Sequence, residues 1–426
     1  MNGVLRIGYE GAAQLARALV AFAPANGGGS KLIATFAARR GVLARFDAFT
    51  RDPARPLLWM HAPSVGEGLQ ARPVLDLVRA RRPSTQLAYT FFSPSAREFA
   101  ERLPVDFRDV LPFDVTSDMR RALAALAPTA LIFSKLDVWP TLAREASRRG
   151  TRLGLVSATV ARGSSRRSGI AGALLGDAYA RLDRVGAVSP DDADRLISLG
   201  VPSSRITVTG DTRYDQVWAR ARAADHDSPL LQPLSGGRPT LVAGSTWPAD
   251  ESVLFPAWTR LRARVPDARL IVAPHEPTTS HLAPVEQWAA GAGLRLARLD
   301  DPAASTADVV LVDRVGVLGD LYALASVAFV GGGFHAAGLH SVLEPAAFGA
   351  PVLFGPRHTA SRDAGLLIDD DAAVSVADAG ALLGAMERWL GSAADRAVAG
   401  QAALRVVHRG LGAAERSYAL VSELLG

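Results

Sequence analysis

From residue 57 onward, short unbroken apolar runs alternate with longer polar-faced stretches of helical period. The first runs are LLWMHA (57–62), QLAYTF (86–91), ALIFS (130–134), RLGLVSA (152–158) and RVGAVS (184–189). Between them, LQARPVLDLVRARR (69–82) and TLAREASRRG (141–150) read as helices. A strand covered on both faces has no polar face to alternate with, and parallel neighbours need a crossover between them. The pattern therefore predicts a doubly wound parallel sheet. Residues 221–239, ARAADHDSPLLQPLSGGRP, follow neither period and have the composition of a linker. The alternation then restarts with TLVAGS (240–245), RLIVAP (269–274), VVLVD (309–313), VAFVGGG (327–333) and APVLFG (350–355), and a helix over 413–425 closes the chain.

The expected organisation is an N-terminal basic segment (1–55), a first Rossmann-like domain (56–220), the linker (221–239), a second Rossmann-like domain (240–410) and a terminal helix (411–426). Two such domains place ligands at the carboxyl ends of their strands, facing a central cleft. With 426 residues, 49% of them apolar and 21% charged, the chain has the material for two cores and is not disordered. It has no cysteine, which excludes disulfides, a thiolate nucleophile and Cys-ligated metal. The net charge of +5 is unevenly spread: residues 1–219 hold 30 basic and 20 acidic side chains, residues 220–426 hold 17 and 22. A basic first half suits an anionic surface or substrate. The arginines are dispersed and not interleaved with aromatics, so no nucleic-acid partner is expected.

Residues 11–25, GAAQLARALVAFAPA, are too short and too interrupted by Arg17 and Pro24 to span a membrane, which takes ~20 apolar residues. Glu10 occupies the place of a signal peptide's basic region. An amphipathic helix lying on a membrane surface is the expectation, with a helix packed on the first domain as the alternative.

Four segments carry candidate chemistry. In 327–356 a strand runs into Gly331, Gly332 and Gly333, and Gly338 precedes a helix holding Glu344. Glycines allow close backbone approach to a phosphate, and a helix start offers free N–H groups. His340 and Ser341 precede that helix, and Glu344 is placed to accept hydrogen bonds from ribose hydroxyls. Gly331–Ala336 also fits the dinucleotide fingerprint G-x-G-x-x-A, but it lies late in the chain and no acidic residue ends the next strand, VLFGPRH. In the second segment, His61 ends a strand, Ser64, Gly66 and Gly68 shape the following turn, and Glu67 stands near a helix start. There a carboxylate either caps the helix or takes a proton from a bound hydroxyl. Gly244-Ser245-Thr246 forms a third strand-to-loop anion seat, and Lys135, Asp137 and Trp139-Pro140 follow a strand in the first domain.

Together these segments resemble the Kdo transferases, glycosyltransferase family 30, which move 3-deoxy-D-manno-octulosonic acid (Kdo) from CMP-Kdo onto the lipid A precursor. HAPSVGEG (61–68) is similar to the family's H-A-x-S-x-G-E loop, and DVWPTLAREASRRG (137–150) to its E-L-W-P-x-L-x-x-E-x-x-x-R-G segment. VTGDTRYD (208–215) resembles V-T-G-N-x-K-x-D, and residues 319–356 resemble the G-G-H-N-x-L-E-P-A stretch and its flanks.

The resemblance implies an α/β GT-B fold and inverting, metal-independent transfer with no cofactor. Glu67 matches the base that deprotonates the acceptor hydroxyl. The implied donor-binding set is Ser245, Thr246, Gly332, Gly333, His340, Ser341, Glu344 and Pro356. The acceptor-binding set is His61, Ser64, Gly66, Lys135 and Asp137. Implied partners are CMP-Kdo, the lipid A precursor (lipid IVA) and the anionic cytoplasmic surface of the bacterial inner membrane, reached peripherally or through an N-terminal anchor. The chain departs from the family pattern at Lys135-Leu136-Asp137 (E-T-E), Ser157 (the N of V-N-A-R), His275-Glu276-Pro277 (R-H-P) and Ser341 (the N after G-G-H). Another GT-B enzyme using a nucleotide-diphosphate sugar, and a binding-only descendant, remain as alternatives.

Overall fold

The computed structural model describes residues 3–19, 31–161 and 169–426. The chain forms two compact units, one running to Gln216 and taking back Leu411–Gly426, the other Val217–Gly410. The first sheet comprises β1 (Leu57–His61), β2 (Gln86–Phe91), β3 (Phe107–Val110), β4 (Ala130–Ser134), β5 (Arg152–Ala158), β6 (Arg184–Ala187) and β7 (Ile206–Val208). Its order is β3-β2-β1-β4-β5-β6-β7, and every pairing is parallel.

The second sheet comprises β8 (Thr240–Thr246), β9 (Arg269–Pro274), β10 (Leu296–Arg298), β11 (Val309–Leu311), β12 (Val327–Val330), β13 (Val352–Phe354) and β14 (Ala373–Ser375). Its order is β10-β11-β9-β8-β12-β13-β14, again all parallel. These are the two doubly wound Rossmann-like units of the GT-B class. In each, the winding reverses beside the first strand, between β1 and β4 and between β8 and β12. Loops diverge at such a reversal, so ligands bind there, outside the carboxyl ends of the strands.

The ten apolar runs read from the sequence are the ten interior strands. The four strands without such a signal, β3, β7, β10 and β14, are the four sheet edges. Each is three or four residues long and has at least one side chain outside the core, so none presents a continuous apolar run. The helix Val65–Arg81 starts four residues before the stretch expected, within the turn after β1. The supposed linker is partly core: Leu231 and Leu234 are buried in the second unit among Val242, Ile271 and Val310. The C-terminal helix Ala413–Leu425 belongs to the first core through Leu420, Val421 and Leu424. Asp215 caps it, accepting from the backbone N–H groups of Gly412 (2.8 Å) and Ala414 (2.9 Å).

The N-terminal helix Gly3–Leu19 docks on the first unit through polar groups. Tyr9 Oη donates to the buried Asp114, Thr116 donates to Glu10 through its backbone N–H and hydroxyl, and Arg17 pairs with Asp118 at 2.8 Å. The outward side carries Ile7 and Leu15, 70% and 65% exposed. Residues 20–25 of the expected amphipathic stretch lie outside the described residues. Among the described residues, no helix is long and apolar enough to cross a membrane.

Close packing of loops holds the second reversal point together. A Cβ on Gly331 would collide with the Ser245 carbonyl, and one on Gly333 with the Gly355 backbone. Backbone cannot swing aside as a side-chain tip can. Gly331→Ala is therefore expected to destabilise the protein by ~2–4 kcal/mol, a drop of several degrees in thermal melting. Gly236→Ala, facing open space, serves as the control and should change stability by less than ~0.5 kcal/mol.

Candidate functional site

In the first unit, β1 delivers His61 to its carboxyl end and the chain turns through Pro63 and Ser64 into the helix Val65–Arg81. Ser64 occupies the N-cap position, yet its hydroxyl makes no cap to the helix backbone and instead donates to Glu67 Oε2. The other carboxylate oxygen, Oε1, accepts from the Lys135 ammonium at 3.0 Å. The neighbouring strand end grips the same turn, because Ser134 Oγ donates to the Glu67 carbonyl at 3.1 Å. Gly68 keeps the helix against Phe99 and Tyr89, where a Cβ would collide, and Gly66 lies exposed on the turn. Burial pushes the Glu67 carboxyl up, but the Ser64 hydroxyl and the Lys135 ammonium outweigh it and leave it below its ordinary value. Glu67 is thus an ionised carboxylate held by side chains, at the edge of solvent with 17% of its side chain exposed.

His61 is fully buried and both ring nitrogens are engaged. Nδ1 lies 3.0 Å from Thr90 Oγ1, and Nε2 accepts from the Trp139 indole N–H at 3.0 Å. An indole nitrogen can only donate, so this geometry assigns the imidazole proton to Nδ1. Trp139 Nε1 also donates to Asp137 Oδ2 at 3.1 Å. His61 thereby supports the Trp139–Asp137 rim from below. A recess of about 230 Å³ opens beside that rim, lined by Tyr9, Leu136, Val138, Trp139, Leu174 and Leu175 among others. Ser157 is buried and bonded to Thr212 Oγ1 at 2.9 Å, which in turn donates to the Gln70 carbonyl at 2.7 Å.

In the second unit, Asp250 organises the loops at the reversal point. Its Oδ2 accepts from the backbone N–H groups of Gly332 (2.8 Å) and Trp247 (2.9 Å), and its Oδ1 from that of Phe334 (3.0 Å). The Gly332 N–H is therefore committed internally, and the glycines serve close packing of the loops. Thr246 is likewise turned inward, donating from Oγ1 to Glu251 at 2.8 Å, whereas Ser245 is half-buried in a left-handed conformation (φ 54°).

Above this base lies an aromatic cluster. The Trp247 indole stacks on His335 (centroids 4.3 Å apart, 7° between planes) and on His275 (4.6 Å, 27°). Trp247 Nε1 donates to His340 Nε2 at 3.3 Å, and His340 lies 4.5 Å from His275, centroid to centroid. Burial lowers the His340 pKa and the neighbouring His275 adds to it, so His340 is neutral at neutral pH. Glu344 stands apart, in the short helix Leu343–Ala347. Burial raises its pKa, opposed by the Arg220 guanidinium.

Of the residues expected from sequence, Ser64, Glu67 and Lys135 converge on one point, and His61 and Asp137 meet through Trp139. His340 accepts from the Trp247 indole, Gly332 shares Asp250 with the Trp247 backbone, and the Ser245 carbonyl packs against Gly331. Ser341 is half-buried, and exposed Pro356 follows the Gly333–Gly355 contact. Sequence reading passed over Trp247, Asp250 and His335 as site residues. The signal for the first two was present in Trp247-Pro248-Ala249-Asp250, a helix start with proline at its first position and an acid at its third.

The sequence profile of the family described as 3-deoxy-D-manno-octulosonic-acid transferase (kdotransferase) matches residues 36–216. The 3-deoxy-D-manno-octulosonic acid transferase of Bordetella pertussis is 32% identical over 406 residues, spanning 90% of this chain and 91% of the relative. The protein of the same name from Haemophilus influenzae is 27% identical over 380 residues, 86% and 87% of the two chains. Among solved structures, UDP-GlcNAc 2-epimerase from Neisseria meningitidis bound to UDP-GlcNAc superposes with a TM-score of 0.64 at 12% identity, covering 87% of this chain and 99% of that one, a likeness of fold. On this identity and coverage, the chain belongs to the 3-deoxy-D-manno-octulosonic acid transferase family.

Proposed function

We propose that the protein transfers Kdo from CMP-Kdo to a lipid A-type acceptor, the lipid A precursor lipid IVA, in lipopolysaccharide core synthesis. The observation that carries the reading is the Glu67 carboxylate, ionised and oriented at the carboxyl end of β1. As the acceptor oxygen forms its bond to the anomeric carbon of Kdo, Glu67 takes the hydroxyl proton. The bond to CMP breaks, and CMP leaves with the electron pair on its phosphate. One base and one displacement invert the anomeric centre without a covalent enzyme intermediate.

The second unit binds the donor. The Trp247–His275–His335 stack offers an aromatic face, and Ser245, His340 and Ser341 offer polar atoms beside it. Thr246, Gly332 and Gly333 shape the seat from beneath, Pro356 borders it, and Glu344 accepts ribose hydroxyls. In the first unit, Asp137 and Trp139, backed by His61, meet the acceptor, with Gly66 leaving the turn open. The exposed Ile7 and Leu15 suit peripheral attachment of the N-terminal helix to the anionic cytoplasmic surface of the inner membrane.

Glu67→Gln is expected to lower the transfer rate by ~10²–10⁴-fold while CMP-Kdo binding, followed by calorimetry, is unchanged. Activity within about tenfold of the parent would refute the base. Glu344→Ala should weaken CMP-Kdo binding by ~1–3 kcal/mol. A buried carboxyl with a raised pKa protonates sooner as pH falls and then loses acceptor capacity. Donor affinity of the parent should accordingly decline from above the ordinary carboxylate range downward, and the Glu344→Ala protein should lack that decline. Equal affinities and equal pH profiles would remove Glu344 from the donor site.

A further inference from the structure

We propose that Lys135 is a positioning residue of the transfer, its ammonium and the Ser64 hydroxyl together fixing the Glu67 carboxylate oxygen by oxygen for proton abstraction. The proposal rests on the reading of Glu67 as the base.

The geometry argues for placement over chance. Lys135 follows β4 directly, and β4 lies beside β1 at the reversal of the winding. Its backbone is left-handed (φ 65°), a conformation that favours glycine and strains any other L residue. Its N–H donates to the Val156 carbonyl at 2.9 Å, and the preceding Ser134 holds the Glu67 carbonyl. The root of the lysine and the root of the glutamate are therefore tied to the same strand end, and the ammonium spans to Oε1 at 3.0 Å. Lys135 is exposed, with 45% of its side chain open to solvent, and the left-handed root and the shared anchor are what set its position.

The contact orients the base without blocking it. Each carboxylate oxygen has two acceptor positions; Lys135 and Ser64 occupy one on each oxygen, and the Glu67 backbone N–H takes a further one. The position left free stays available to an acceptor hydroxyl. The ammonium also stabilises the charged form, which keeps Glu67 deprotonated as pH falls. Removing it raises the Glu67 pKa, so the inactive protonated form persists to higher pH.

The test is the pH profile of kcat/KM for transfer from CMP-Kdo, in the parent, Lys135→Met, Lys135→Arg and Glu67→Gln. Lys135→Met keeps the aliphatic stem without the charge. It should lower kcat about tenfold with KM for CMP-Kdo unchanged, and move the acid limb to higher pH. Lys135→Arg restores a cation and should return the acid limb toward the parent. Thermal melts of both variants confirm folding. An acid limb that stays in place in Lys135→Met, while Glu67→Gln is inactive, overturns the role of Lys135 and leaves the base assignment intact. An active Glu67→Gln protein overturns the base assignment, and the role of Lys135 with it. The Glu67→Gln result thus tells the two failures apart.

Discussion

A parallel strand enclosed by neighbours and covered by helices can carry a polar side chain along its length only when an internal partner satisfies it. That constraint distributes the chemistry of both units. Inside the first sheet, Trp59 and His61 on β1 share the Thr90 hydroxyl on β2, and those groups are spent on each other. Polar side chains are released from such pairing only beyond the last strand residue. Where the winding reverses, adjacent loops part and leave them reachable. Glu67 and Lys135 follow β1 and β4, and Ser245 and the Gly331–Gly333 turn belong to β8 and β12, the strand pairs that flank the two reversals.

Reaching those positions costs backbone strain. Lys135, Ser157 and Ser245 are non-glycine residues with positive φ at or just beyond a strand end, and each such residue costs on the order of 1 kcal/mol. Strand-end hydrogen bonds maintain the conformation, as between the Lys135 N–H and Val156. Two carboxylates, one in each unit, then show how partners decide a role. Asp250 is fully buried and accepts from three backbone N–H groups, so it builds the loops of the second unit. Glu67 accepts from the Ser64 hydroxyl and the Lys135 ammonium, with 17% of its side chain open to solvent. The first is architecture, and the second is the proposed base.

The interior of the fold was legible in the sequence because burial on both faces writes itself as an unbroken apolar run. Edge strands such as Ile206–Val208 escaped because solvent on one side breaks the run and three residues carry too little pattern. The turn HAPSVGEG put forward Glu67 as a candidate, and GGGFHAAGLHSVLEP put forward His340 and Glu344, through residue types whose backbone freedom and hydrogen-bonding capacity are visible in the letters. Pairings across long separations were not visible. Lys135 meets Glu67 across 68 positions, and Trp247 meets His340 across 93, and only the parallel register brings them together. The glycine turn misled in one respect, since its Gly332 N–H is taken by Asp250.

The proposed base after β1 and the proposed donor seat after β8 and β12 serve a single reaction, transfer of Kdo to a lipid acceptor. The most direct measurement is the mass of the lipid product after the purified protein is incubated with CMP-Kdo and tetraacylated lipid A precursor. The expected result is a mass gain of one or more Kdo residues, matched by release of CMP. An acceptor of unchanged mass, under conditions where CMP-Kdo is bound, would contradict it.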